Sequence, residues 1–218
     1  VESSRTAPKL PSRLRLTRPK FLPAPTGSKH GKEAVLFIHG VGVGPGAYVG
    51  LLETLAKEAV EEAEGTAAQR AVLALDVTQF TQRIDPCTPA SPEAFAAQVV
   101  AVLDENGIDR AVIVGHSLGT AYASYLRRYV PHRVKALALI DPICCMLHHS
   151  TVSKQFVYKP VGDSVSTCAE EYYVRRELFT SNVIARHMRW HEVREADLTP
   201  RDLTPRDLTP RPSRALIG

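Results

Sequence analysis

The sequence predicts an α/β fold in which a mostly parallel sheet is covered by helices on both faces. Short apolar runs alternate with longer stretches that carry apolar residues at three- and four-residue steps. The runs are continuously apolar, which is typical of parallel strands buried on both faces. Ligands bind at the carboxyl ends of such strands. The predicted strands are residues 34–38, 71–75, 111–114 and 134–140.

Three intervening stretches predict helices with identifiable boundaries. The first carries apolar residues at helical spacing from Tyr48 to Ala59. The second begins at Ser91-Pro92-Glu93, where a capping hydroxyl precedes a proline and an acid, and it ends near Gly107. The third runs over residues 118–129 and stops before a proline.

The composition is that of one globular domain with a sizeable core. The chain has 218 residues, of which 44% are apolar and 23% are charged. No apolar stretch reaches the ~18 residues that a membrane span needs. The cysteines lack metal-ligand spacing, so reduced thiols in a cytosol-facing protein are expected. The compartment stays open between the cytoplasm and a membrane surface.

Residues 1–33 form a predicted basic, proline-rich leader. The leader holds eight Lys or Arg residues against two acids, whereas the whole chain has a net charge of +4. Interleaved apolar residues would suit peripheral contact with an anionic membrane, and a solvated arm is the favoured alternative. No recognition module accompanies the charge, so nucleic acid is not an expected partner.

The pentapeptide GHSLG, residues 115–119, predicts a nucleophile elbow. It follows a buried-type strand and opens onto a helix, so the chain must turn sharply at Ser117. Such a turn strains the serine backbone and presents its hydroxyl away from the sheet. The alternative is an ordinary surface serine. We therefore predict Ser117 as a catalytic nucleophile, with Gly115, His116 and Gly119 forming the elbow.

A glycine-rich loop, HGVGVGPGAY at residues 39–48, follows the first predicted strand. Acyl transfer needs N–H donors aimed at the oxyanion of its intermediate. The predicted donors are the backbone N–H groups of Val41 and Leu118. The alternatives are a flexible glycine loop or a phosphate-binding loop. The glycines alternate instead of following the GxGxxG spacing of dinucleotide-binding loops, and no Gly-Lys-Ser/Thr of a P-loop follows them. The loop residues assigned to this site are His39, Gly40 and Gly42.

These motifs resemble the α/β-hydrolase superfamily over about residues 34–142. The order of HG-x-G-x-G, GHS-x-G, an LIDP strand end and Arg186-His187-x-x-Trp190 is similar to a subgroup common in fungi and microbial eukaryotes. The resemblance implies a serine nucleophile followed along the chain by an acid and a histidine. It assigns residues 34–142 to the hydrolase core. Residues 143–170 have a mixed pattern with prolines and isolated aromatics, and residues 170–195 have a helical pattern with little turn chemistry. Residues 143–195 are therefore predicted as a helical excursion of lid or cap type.

The chain departs from the family pattern after Trp190, where further strands with the acid and base are expected. Instead, DLTPR occurs three times without variation, which predicts a low-complexity, disordered tail over residues 196–218. The sequence therefore predicts an incomplete α/β-hydrolase fold. Asp141 and His149 are the candidate acid and base, and the alternative role for Asp141 is to tether its loop.

Other histidines and acids have weaker claims to a catalytic role. His39 and His116 are interpreted as structural. His187 and His191 would share a face if they lay on one helix, but an HxxxH pair alone is weak evidence for zinc. No metal and no cofactor are predicted. Asp76 is interpreted as a turn or cap residue, and Asp163 and Asp197 lack contextual support.

The sequence thus predicts a serine hydrolase acting on a small-molecule ester, lipid ester or thioester. The alternative is a truncated or degenerate homologue without catalysis, acting only in ligand binding or at a membrane surface.

Overall fold

The computed structural model describes residues 15–17, 32–61, 71–82, 88–145 and 162–193, with the single residues 154, 158 and 160. Most of the predicted leader and the whole predicted tail lie outside these ranges. His149, the candidate base, also lies outside the described residues.

The described chain forms a five-stranded sheet with the order β1-β3-β2-β4-β5. The four strands β2 to β5 pair in parallel, which confirms the predicted α/β class. Their bounds lie within a few residues of the predicted runs. The strands are β1 (Arg15–Thr17), β2 (Lys32–Ile38), β3 (Ala71–Asp76), β4 (Ile108–His116) and β5 (Val134–Ile140).

Strand β1 was not predicted, and it lies inside the segment interpreted as a leader. It pairs antiparallel with β3, with Leu16 opposite Leu75. Three residues with one apolar side chain carry no detectable periodicity, so only the pairing with β3 identifies this strand.

Helices cover both faces of the sheet, as predicted. Along β2, Leu36 and Ile38 belong to one buried cluster, whereas Phe37 belongs to the other. Side chains alternate between the faces of a strand, so these clusters mark opposite sides of the sheet. Helix α1 (Val49–Glu61) packs on the Phe37 side, and helices α2 (Pro92–Glu105) and α3 (Leu118–Tyr129) pack on the other side.

The helix boundaries follow the predicted signals. At the start of α2, the Ser91 hydroxyl accepts a hydrogen bond from the Ala94 N–H at 3.2 Å. Gly107, just after α2, has a positive φ of 65°, a conformation that glycine adopts without strain. Helix α3 has the bounds that the sequence predicted.

Residues 162–193 are helical in short pieces rather than as one helix. The Glu177 carboxylate accepts hydrogen bonds from the N–H groups of Phe179 and Thr180, and this cap begins a new helix. The pieces are helix α4 (Val165–Glu170), a π turn (Glu171–Arg175), helix α5 (Leu178–Asn182), a π turn (Val183–His187) and a 3-10 turn (Trp190–Glu192).

Two expectations from this region change as a result. The continuous helix expected from residue 170 to 195 is wrong over the described part, because a capping carboxylate starts a second helix within it. His187 and His191 lie on separate turns, so they do not share one helical face. Within the described ranges, no helix combines the length and apolar character needed to cross a bilayer.

Candidate active site

Ser117 stands alone between the end of β4 and the first residue of α3. Its backbone has φ 48° and ψ −117°, a region that residues with a Cβ rarely adopt. Such a conformation costs about 1–3 kcal/mol and persists only where surrounding structure enforces it. The side chain is half-buried.

Two glycines make this turn possible because strand and helix almost touch. A Cβ on Gly119 would lie 2.2 Å from the carbonyl oxygen of Ile38 at the end of β2. A Cβ on Gly115 would lie 2.9 Å from the carbonyl oxygen of Gly119. Both clashing atoms belong to the backbone and cannot move away as a side chain could, so glycine is sterically required at positions 115 and 119.

The loop after β2 is pinned on each side of Val41. The Gly40 N–H donates to the Tyr48 hydroxyl at 3.2 Å, and the Gly42 N–H donates to the Phe80 carbonyl at 3.1 Å. Gly42 also has a φ of 141°, which a residue with a side chain adopts only with strain. The amide of Val41 therefore lies between two amides that are already engaged.

His39 uses both ring nitrogens to hold the backbone in place, whereas His116 contacts the side chain of Tyr48. His39 is completely buried, and its Nε2 accepts from the Val77 N–H at 3.1 Å. Its Nδ1–H can then donate to the Gly40 carbonyl at 2.6 Å. The Nδ1 of His116 lies 2.9 Å from the Tyr48 hydroxyl.

The elbow is also tied to the end of β5. The Ser117 N–H donates to the Ile140 carbonyl at 2.9 Å. The Thr120 hydroxyl donates to the Ser117 carbonyl at 2.6 Å and accepts from the Ile143 N–H at 3.1 Å. One hydroxyl group thereby connects the elbow with the chain that follows β5.

Ser117 lines a cavity of about 190 Å³ at the carboxyl ends of the strands. Three of the other predicted site residues line it too: Val41, Leu118 and Asp141. Asp141 follows β5, is exposed, and has a positive φ of 48°. Among the described residues, none is hydrogen-bonded to the Ser117 hydroxyl. Asp76 instead lies beside Gly44, where an added Cβ would be 3.3 Å from its Oδ1.

The rest of the cavity wall is apolar and comes from two later parts of the chain. Its residues are Ile143, Ile184 and Trp190. The Trp190 indole N–H donates to the Ile184 carbonyl at 2.9 Å, so the two residues from the 162–193 segment are held together.

A polar cluster attaches this wall to α2 and α3. The Tyr129 hydroxyl donates to Glu192 and also contacts Glu93 at 3.1 Å. The Arg189 guanidinium contacts Glu192 at 2.9 Å and Glu93 at 3.2 Å. The Tyr125 hydroxyl donates to the Arg189 carbonyl at 3.2 Å. Trp190 thus lies between two residues that are anchored to the main body.

The cluster changes the proton affinities of its members. Burial alone would raise the pKa of Glu192, but hydrogen bonds from Tyr129 and Arg189 outweigh it and lower that pKa. The hydrogen bond to Glu192 raises the pKa of Tyr129 to about 12. Tyr129 therefore remains a hydrogen-bond donor at neutral pH, and Glu192 remains an acceptor.

Sequence reasoning did not assign the apolar wall or the Tyr48 contacts. Trp190 and Tyr48 had a signal, since both belong to the motifs that carry the resemblance. Ile143 and Ile184 had none, because an isolated isoleucine in a mixed segment is indistinguishable from a core residue. Within the described ranges, no group of three or more His, Cys, Asp or Glu residues could hold a metal ion.

Comparison with known proteins gives a consistent family match. The sequence model of a family described as alpha/beta hydrolase fold matches residues 33–200. Over 116 residues, the chain is 34% identical to the dihydrolipoyllysine-residue acetyltransferase component of the acetoin cleaving system of Cupriavidus necator, covering 52% of this chain and 27% of that protein. Over 113 residues it is 31% identical to the (lyso)-N-acylphosphatidylethanolamine lipase of Mus musculus, covering 50% and 30%.

A solved structure, carboxylesterase CesB of Bacillus subtilis, is 17% identical with a TM-score of 0.38, covering 82% of this chain and 58% of that one. The chain spans less than a third of the length of the two relatives above.

Proposed function

Because the chain belongs to the α/β-hydrolase family, which has esterase- and lipase-like members among its relatives, we propose that it is a serine hydrolase with Ser117 as nucleophile. The observation that carries this proposal is the strained backbone of Ser117 at the edge of a cavity. Strain of this size persists where function requires it, and here it holds a hydroxyl group beside an apolar pocket.

The proposed oxyanion donors are the N–H groups of Leu118 and Val41. Leu118 is the first residue of α3, so its N–H has no acceptor within the helix and lies at the positive end of the helix dipole. Val41 supplies the loop amide between two engaged neighbours, and both residues line the cavity with Ser117. Two such donors would stabilise the negative charge of a tetrahedral intermediate.

The reaction proposed is two-step acyl transfer. The Ser117 oxygen bonds to the acyl carbon while its proton passes to a base, and the base gives this proton to the alcohol or thiol as the bond from the acyl carbon to that group breaks. Water then releases the acid from the acyl-enzyme. His149 is the proposed base, and Asp141 is the proposed acid that orients it. Asp141 shares the cavity with Ser117, which supports its assignment.

The proposed substrate is a carboxylic ester, lipid ester or thioester with an apolar acyl group. The apolar residues Ile143, Ile184 and Trp190 line the same cavity as Ser117. A hydrocarbon group bound against these side chains would be stabilised by about 25 cal/mol for each Å² of apolar surface removed from water. This burial would supply most of its binding energy.

An activated fluorophosphonate probe tests this proposal directly. The folded protein should be labelled on Ser117, and Ser117→Ala should abolish the labelling. His149→Ala and Asp141→Asn should slow labelling, with His149→Ala having the larger effect. Folded protein that resists the probe would instead support the competing proposal, a homologue that only binds its ligand.

A further inference from the structure

Tyr48 joins the two parts of the proposed catalytic machinery. It ends the 3-10 turn Gly44–Tyr48, at the opposite end of the loop from His39. Its hydroxyl contacts Gly40 in this loop and His116 in β4. These two residues directly precede Val41 and Ser117, respectively. We propose that Tyr48 is a positioning residue that sets the distance between the oxyanion loop and the nucleophile, an inference that rests on the proposed function.

The hydrogen-bond chemistry of the hydroxyl fits this role. A tyrosine hydroxyl has one proton to donate and can also accept. Here it accepts from the Gly40 N–H at 3.2 Å, so its proton is directed to the Nδ1 of His116 at 2.9 Å. This pairing assigns the Nδ1 of His116 as an acceptor. Both partners are therefore fixed by one oxygen atom.

The ring of Tyr48 is itself held in place. Its centroid lies 4.8 Å from that of Phe37, a fully buried residue of β2, and 5.4 Å from that of His116. Phe37 belongs to the core cluster on the α1 side of the sheet. The position of the Tyr48 hydroxyl is therefore set by packing against the sheet, and not only by the loop that contains Tyr48.

The loop approaches the elbow closely at Gly40. A Cβ on Gly40 would lie 2.9 Å from the Nδ1 of His116 and 3.0 Å from the Cβ of Ser117, so this approach requires glycine. The hydrogen bonds of Tyr48 hold the loop at this distance. Because misplacement by about 1 Å can cost about 100-fold in rate, holding this distance matters for catalysis.

Tyr48 also determines which amide of the loop can donate to the oxyanion. The Gly40 N–H is occupied by Tyr48, so it does not compete with the neighbouring amide for the substrate oxygen. Loss of the hydroxyl would release the Gly40 N–H and allow the peptide to rotate. Tyr48 would thus select Val41 as the donor.

The test compares Tyr48→Phe with Tyr122→Phe, which also removes a tyrosine hydroxyl, but from a buried residue of α3 that does not line the cavity. Labelling of Ser117 by the fluorophosphonate should slow at least ~10-fold in Tyr48→Phe, approaching the ~100-fold effect of losing an oxyanion donor. Tyr122→Phe should be labelled at the wild-type rate.

Separate measurement of kcat and KM distinguishes a positioning role of Tyr48 from a general effect on stability. For hydrolysis of p-nitrophenyl acetate, Tyr48→Phe should lower kcat and leave KM within about twofold, because the misplaced amide contacts only the developing oxyanion. Both variants are compared at temperatures where circular dichroism finds them fully folded. Equal labelling rates for folded wild type and Tyr48→Phe would overturn the inference, whereas a wild type that is never labelled would overturn the proposed function instead.

Discussion

At the elbow, the close approach of backbone groups sets the shape and the hydroxyls of Thr120 and Tyr48 add hydrogen bonds, whereas the segment that carries Trp190 is attached to α2 and α3 by side-chain hydrogen bonds. The Ser117 N–H donates to the Ile140 carbonyl, and Gly119 leaves no space above the Ile38 carbonyl. Trp190 is positioned through Arg189 and Glu192, which lie close to it in sequence and belong to the polar cluster. Backbone contacts are fixed by the fold, but side-chain contacts can be altered by single substitutions.

This difference predicts that the elbow tolerates almost no change in shape. The largest effect is expected from Gly119→Val, because its Cβ would meet the Ile38 carbonyl oxygen at 2.2 Å. We expect a loss of about 3 kcal/mol or more in the free energy of unfolding, measured by urea denaturation. Gly50→Ala is the control, since its Cβ would meet nothing within 4 Å in α1. This control should be neutral or slightly stabilising, and equal stability of both variants would contradict the steric argument.

A second substitution separates strain from chemistry at the elbow. Ser117→Gly removes the Cβ that makes φ 48° and ψ −117° unfavourable, so it should abolish labelling yet raise the free energy of unfolding by about 1 kcal/mol. Ser117→Ala keeps the Cβ and should abolish labelling without this gain. Urea denaturation of both variants makes the measurement. If both gain stability equally, the backbone of Ser117 is not strained.

The same contrast explains what the sequence could predict. The elbow was predictable because its steric requirements are local: glycines two positions either side of a serine, after an apolar strand and before a helix. The bounds of α3 and β5 followed from the same local patterns. Strand β1 and the wall residue Ile184 depend on partners far away in sequence, so no local pattern marks them.

Residues 162–193 illustrate why tertiary contacts override a helical pattern. Residues 170–195 have helical composition, yet Glu177 caps a new helix within them, and Arg175 and Glu171 form an ion pair whose side chains are each only 6% exposed. A buried charge pair requires specific geometry, and propensity contains no information about it. The sequence therefore predicted helix content but not the breaks that bring Trp190 to the cavity.

In the apolar part of the cavity lining, Trp190→Ala should change substrate choice more than stability. The cavity of about 190 Å³ is smaller than the ~300–1,000 Å³ of pockets for drug-sized ligands, which suits a short acyl group. Removing the indole should shift the preferred p-nitrophenyl ester towards longer acyl chains, measured as kcat/KM across the series. Tyr172→Ala, an exposed aromatic of the same segment, is the control and should keep the wild-type preference. An unchanged preference in Trp190→Ala would exclude this wall from acyl recognition.

The smallest expected effect is the pH dependence of the contribution that Glu192 makes to the free energy of unfolding. It measures how strongly the polar cluster attaches Trp190 to the main body. Its native pKa is lowered from 4.5 because hydrogen bonds from Tyr129 and Arg189 outweigh burial. A lowered native pKa adds stability that is present above 4.5 and is lost as the pH falls through the native value. Glu192→Gln should therefore be less stable than wild type near neutral pH, by about 1 kcal/mol, and this difference should shrink in acid.

In a Tyr129→Phe background the same substitution should cost less, because one of the two donors is already missing. Urea denaturation of the four proteins at several pH values measures this coupling, and additive effects at neutral pH would mean that the Tyr129 contact does not hold the wall in place.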